Sequence, residues 1–248
     1  MSFLRAALCT CALILGLTCC GDSSGESLQP RTTTAADARL FGGCNADEHA
    51  LNEADVIAEA DLDGSGASNE IALVPQSAEG PCANALFTTF DGEPAAVPLD
   101  DLVLDTGTGS VEVIQLQGTA QQLLLVREEP HPRGGSQAHL FGYADSALSE
   151  VTTSGQPLLG FQASDGGGLP VTATCTEQGG LAVQMARPSE PLGMAPVWDV
   201  LEVTYSLEGT DAVKESATRI FEAVPDPALR RKMPQLFDSG GPFDDCVV

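Results

Sequence analysis

Short β-forming runs broken by glycine and aspartate turns recur along this chain in a set order, and no other feature narrows the fold as much. Ala60–Val74 (ADLDGSGASNEIALV) is echoed by Gln115–Val126 (QLQGTAQQLLLV) and more faintly by Thr174–Met185 (TCTEQGGLAVQM). Each reads as strand, glycine turn, apolar strand. Each is followed by a second hairpin: Leu86–Val97 across Asp91-Gly92, Leu140–Val151 across Asp145-Ser146, and Val200–Val213 across Glu208-Gly209. Strands are expected at Asn69–Val74, Leu86–Phe90, Val111–Leu116, Leu123–Val126, His139–Tyr143, Leu181–Met185 and Val200–Tyr205. Several of them alternate apolar with polar residues, the period of a sheet with one buried face.

Hairpin pairs at a spacing of roughly 55 to 60 residues predict an all-β fold built as a β-propeller-like array of about three four-stranded units. Three blades do not close a usual propeller, so a β-sandwich stands as the alternative. The tail leaves this pattern. Asp226-Pro227 offers an N-cap followed by proline at the first helical position, which predicts a short C-terminal helix over Ala228–Met233, stopped by Pro234.

The first nineteen residues are of another kind. Met1–Arg5 carries one positive charge, and Ala6–Thr18 is an apolar run too short to cross a bilayer as a helix, so residues 1–19 read as a secretory signal. The run ends in Leu17-Thr-Cys-Cys-Gly21, which resembles the lipobox of bacterial lipoproteins. That resemblance implies acylation at Cys20, with Cys19 as the alternative, since a cysteine before the modified residue departs from the usual Gly or Ala. It also implies an extracytoplasmic protein anchored to the bacterial cell membrane by an N-terminal lipid. Residues 20–40, rich in Ser, Thr, Gly and Asp, have too few large apolar side chains to fold and read as a flexible tether. The single all-β domain is expected over 41–248.

Charge narrows the function. The formal net charge is -24, and so acidic a field repels nucleic acid, whose phosphates need a basic patch. Arg230-Arg231-Lys232 is the nearest thing to one and reads as a solvated helix face. Hydrophobic residues make up 43% of the chain, enough for a core, whereas aromatics are only 5% and Trp198 is the sole tryptophan. Sugar recognition on stacked aromatic rings is therefore disfavoured.

Beyond the signal and lipobox the cysteines are Cys44, Cys82, Cys175 and Cys246. Widely spaced and even in number in an exported chain, they predict two disulfides, since no pair has the close spacing of a zinc or redox site. Three pairings are possible. Cys44 with Cys82 and Cys175 with Cys246 is favoured, because each would tie a chain end to its nearest sheet and close a shorter loop.

One turn carries chemistry. Asp61-Leu-Asp-Gly-Ser-Gly-Ala-Ser-Asn69 places side-chain oxygens at its first, third, fifth and ninth positions and glycine at its sixth. Calcium wants several oxygens at about 2.3–2.6 Å, and the glycine permits the turn that gathers them. The loop, followed by the apolar strand Ile71–Val74, resembles the calcium loop of VCBS or FG-GAP repeats of integrin-like propellers. Half of an EF-hand or dockerin loop is similar too, but Ala72 stands where those motifs carry their last acidic ligand. The resemblance implies Asp61, Asp63, Ser65 and Asn69 as side-chain ligands and Ala67 as a carbonyl ligand. A hairpin turn that simply favours Asp, Gly and Asn is the plainer reading.

Other candidates lack partners of the right spacing. His49, His131 and His139 form no HExxH pair. Ser136 lacks the GxSxG elbow, and Asp165-Gly-Gly-Gly168 lacks the lysine of a phosphate loop. Asp100-Asp101 and Asp244-Asp245 read as solvated. The sequence thus points to a non-enzymatic binding or structural lipoprotein of the envelope, with calcium as its one possible cofactor and its partner open. The alternative is an envelope hydrolase whose site is assembled from distant residues.

Overall fold

Three antiparallel meanders of four strands follow one another along the chain, matching the units expected from the repeat. The first consists of β3 (Asp55–Ala60), β4 (Asn69–Val74), β5 (Ala85–Phe90) and β6 (Glu93–Pro98), hydrogen-bonded in that order. The second has β7 (Val111–Gln115), β8 (Gln122–Arg127), β9 (Ala138–Ala144) and β10 (Ala147–Glu150). The third has β13 (Val171–Cys175), β14 (Leu181–Pro188), β15 (Val197–Glu208) and β16 (Asp211–Pro225). It is extended by β11 (Thr152–Thr153) and β12 (Gln156–Pro157), β11 joining β16 in parallel through Thr152 and Asp211. The pair β1 (Arg39–Phe41) and β2 (Cys44–Asn45) precedes them, so Arg39 and Leu40, at the end of the expected tether, already belong to a strand.

This computed structural model describes residues 39–41, 44–45, 54–75, 78, 80–99, 102, 104, 111–128, 138–159, 169–189, 196–237, 243 and 245–248. All lie in the unit Asp37–Val248. The signal, Cys19, Cys20, His49, Asp100, Asp101, His131, Ser136, the loop 165–168 and Asp244 lie outside the described residues.

The sheets pack face to face in series. Ile71, Leu86 and Phe90 of the first sheet bury against Leu124, Val126, Phe141 and Leu148 of the second. From the other face of the second sheet, Ile114, Leu123, Leu125 and Leu140 bury against Val171, Ala173, Leu181 and Val183 of the third. Successive residues of β8 therefore point into different cores, which is why Leu123–Val126 is an unbroken apolar run and not an alternating one. No core cluster among the described residues joins the first sheet to the third. The architecture is an all-β array with a short C-terminal helix.

The turns have the chemistry their geometry demands. Asp91 (φ 50°) and Gly92 (φ 85°) close β5 onto β6, and Asp145 (φ 51°) and Ser146 (φ 64°) close β9 onto β10. Left-handed backbone at both central positions matches the twist of a two-residue hairpin. The equivalent hairpins also stack, with Phe90 of the first sheet on Tyr143 of the second at 3.6 Å between ring centroids.

The two disulfides are Cys44–Cys82 and Cys175–Cys246, the favoured pairing. The first pins the N-terminal strand pair to the first sheet. The second holds the C-terminal segment, whose Phe243 is buried between the second and third sheets. This segment also adds to the free edge of β7: Gln115 N–H donates to the Cys246 carbonyl at 2.9 Å and Val248 N–H to the Val113 carbonyl at 3.1 Å.

Helix α1 spans Asp226–Lys232 and buries Leu229 against Trp198, Val200 and Val224. The expected cap is different in kind. Pro225 occupies the N-cap in extended conformation, and Asp226 is the first helical residue. Its carboxylate is engaged elsewhere, accepting the Trp198 indole N–H at 3.0 Å and the Arg230 Nε–H at 2.8 Å. A 3-10 turn, Pro234–Leu236, follows.

Candidate functional site

The hairpin between β3 and β4 builds its loop from its own side chains. Leu62 is fully buried in the core between the first two sheets, so Asp61 and Asp63, on either side of it, are turned from the core toward the loop. Gly64 (φ 71°) and Gly66 (φ 86°) take left-handed backbone, which folds the chain back over the two carboxylates. Gly66 N–H donates to Asp61 Oδ2 at 2.8 Å, Ser65 N–H to Asp63 Oδ1 at 3.0 Å, and Ala67 N–H to Ser65 Oγ at 3.3 Å. These bonds favour the ionised acid. The Ser65 N–H above all holds the Asp63 carboxyl below the usual carboxylate range, helped by the Ser65 hydroxyl and opposed by slight burial. A contribution from the Asp61 side chain acts in the same direction as the Ser65 bonds.

Asn69 stands at the start of β4, opposite Ala60. Its Nδ2 donates to the Thr89 carbonyl at 2.7 Å, which leaves Oδ1 for another partner. Both Asn69 Oδ1 and Asp61 Oδ1 are buried and have no hydrogen bond. Buried oxygens without a partner are few in folded chains, because each loses hydration for nothing in return. An all-oxygen donor set with two adjacent carboxylates fits a hard divalent cation. Asp61, Asp63 and Ser65 are thus brought together as expected, while Asn69 is anchored from β5 and Ala67 lies exposed at the rim. The loop supplies two acids, Asp61 and Asp63. Among the described residues no three His, Cys, Asp or Glu side chains gather in metal-binding geometry.

Sequence reading missed what holds the loop in place. Gln122, the first residue of β8, accepts the Asp61 N–H with Oε1 at 2.7 Å and donates its own N–H to the Asp61 carbonyl at 2.8 Å. The two residues are 61 apart in sequence, so no local pattern could have paired them; only the register of one repeat against the next does so.

The other polar features do different work. His139 sits between Glu150, 2.7 Å from Nδ1, and Glu128, 3.5 Å from Nε2. Those nitrogens face opposite ways, so the three groups cannot close on one ion, and the short contact is the hydrogen bond between Nδ1 and Glu150. Arg230 is bonded to Asp226 and lies over the Phe237 ring, and Lys232 lies over Phe221. Beside the loop, on the outer face of the first sheet, an open cleft of about 340 Å³ is lined by Ala72, Phe87, Glu70 and Thr89 among others. Among the described residues Glu70 is the only ionisable one lining it. Comparison with protein-family models, curated proteins and solved structures finds no match.

Proposed function

We propose that this protein is an exported, lipid-anchored, non-enzymatic module of the bacterial envelope, whose β-array is stiffened by calcium bound in the Asp61–Asn69 loop. The observation that carries the calcium reading is the loop itself, folded around adjacent carboxylates with the Asp61 and Asn69 Oδ1 atoms buried and unpartnered. Asp61, Asp63, Ser65 and Asn69 would hold the ion, with the Ala67 carbonyl at the rim. Bound calcium would supply charge neutralisation and cross-linking of the hairpin. Export is supported by the two disulfides, which form in oxidising compartments, and anchorage by the Leu17–Gly21 motif with Cys20 as the acylated residue. Among the described residues no helix is long and apolar enough to cross a membrane.

A weak extracellular site has a dissociation constant of about 0.1–1 mM, and at about 1 mM calcium the linkage adds roughly 0.4–1.4 kcal/mol. Melting should therefore rise by a few degrees in calcium relative to chelator. Asp63→Ala should abolish the rise, because it removes one of the two acids while leaving both glycines. Identical wild-type melting curves in calcium and chelator would show the loop to be a turn and nothing more. Intact-mass analysis of the purified membrane form tests the anchor, and an unmodified N-terminus there would refute it.

A further inference from the structure

We infer that the cation loop is a site shared between two repeat units, in which Gln122 of the second unit is the positioning residue for Asp61. This rests on the calcium reading of the loop. Both main-chain polar groups of Asp61 are occupied by Gln122, one through its side chain and one through its backbone. Asp61 therefore has its backbone orientation, and with it the direction of its carboxylate, set by a strand of the neighbouring sheet. The loop is backed from the same side. A Cβ on Gly64 would lie 3.4 Å from the Gln121 nitrogen, so the turn lies against the backbone of the second unit. Gln121 is itself fixed, donating Nε2–H to the Tyr143 carbonyl at 2.8 Å, and Tyr143 stacks on Phe90 of the first unit. Leu62, between the two acids, is locked into the core the units share.

The chemistry suits a glutamine. Its amide oxygen accepts the Asp61 N–H without placing a third negative charge beside the two carboxylates when the loop is empty. The equivalent turns of the second and third units carry no carboxylate pair, and there the contact is steric: a Cβ on Gly179 would lie 2.5 Å from the Gln117 carbonyl oxygen. Only the first junction combines acidic oxygens with a clamp from the next unit. Because coupling between a ligand and a structural contact is reciprocal, calcium in this loop tightens the docking of the first unit on the second.

The test is calcium titration of the full-length mature protein by calorimetry, with calcium chloride alone as the probe, for wild type, Gln122→Ala and Gln122→Glu. Loss of a partner that orients a metal ligand typically weakens affinity by about 10–100-fold. Gln122→Ala should fall in that range, and Gln122→Glu, which keeps the acceptor oxygen while adding a negative charge, should bind calcium more tightly than Gln122→Ala. Amide exchange of Asp61 and Gln122 in the wild type gives a readout free of any variant: both N–H groups should slow on adding calcium. A wild type that takes up no calcium refutes the reading of the loop. A wild type that binds while Gln122→Ala binds equally well overturns the inference about Gln122. So does a Gln122→Glu protein no tighter than Gln122→Ala, or calcium-loaded wild type with unchanged exchange at both amides.

Discussion

Removing the Cys175–Cys246 bridge by a paired change to serine should cost more stability than any single surface substitution. The cysteines are 71 residues apart. The chain-entropy relation for a closed loop gives about 4.4 kcal/mol at that separation, against about 3.9 kcal/mol for the 38-residue separation of Cys44–Cys82. Part of the C-terminal hold survives without the bridge, because Phe243 stays buried, its N–H bonds the Ala173 carbonyl at 2.7 Å, and Gln115 N–H bonds the Cys246 carbonyl. An observed loss of about 3–4 kcal/mol is therefore expected, within the range for native bridges. Urea denaturation of the purified double variant measures it. Amide exchange locates it: Gln115 N–H should exchange faster, as the terminal segment peels from β7, before the amides of β8 do. A loss under about 1 kcal/mol, or Gln115 exchange equal to that of wild type, would mean that the segment is held by packing and the bridge is redundant.

The remaining expectations are smaller. Gly179→Ala should destabilise by about 2–4 kcal/mol, since it adds a left-handed alanine and drives a methyl into the Gln117 carbonyl; Gly118→Ala, also left-handed but with open space around it, should cost only about 1 kcal/mol, and equal losses in chemical denaturation would refute the steric account. Ser146→Gly should raise stability by about 0.5 kcal/mol, the left-handed penalty relieved less the extra chain entropy of glycine, and a fall in the denaturation midpoint would contradict it. Burial pushes the Tyr205 phenol above its ordinary value of 10.0, partly offset by Arg187. Its contribution to stability is thus fully present below pH 10 and is lost as pH rises through the folded-state value. Tyr205→Phe should flatten alkaline unfolding, and an unchanged profile would assign that slope to other groups.

What the sequence made legible, and what it hid, follows from which residues face two environments at once. Strands with one buried face announced themselves by alternation, and Asn69–Val74 and Val111–Gln115 lie where the pattern put them. The length of β16 was hidden. The expected hairpin stopped at Val213, yet the strand runs to Pro225. Its residues from Val213 to Ile220 are exposed on both faces, so nothing forces them to alternate. Its pairing with β15 also slips register at three places, which destroys any period of two. Those bulges, together with Lys214, Glu215, Arg219 and Glu222 along the strand, blunt an edge that would otherwise invite strand addition. The Asp226 cap was misjudged for a related reason: a good capping residue was already committed to Trp198 and Arg230, partners that no local window contains.

The candidate site shows the same division more sharply. Aspartates, serine and glycines at fixed spacing were readable because a loop that folds around its own oxygens is a local object, closed by bonds between residues two to five apart. The clamp from Gln122 was unreadable because it belongs to the contact between repeats. Yet the repeat alignment carries the clue in retrospect: Gln122 opens the second strand of its own hairpin, as Asn69 does in the first unit. The two opening polar residues serve different partners, Asn69 bonding β5 within its own sheet and Gln122 reaching back across the interface. The loop of the first unit is thus backed by the second. A cation held there would act on the junction between the first two units as much as on the turn.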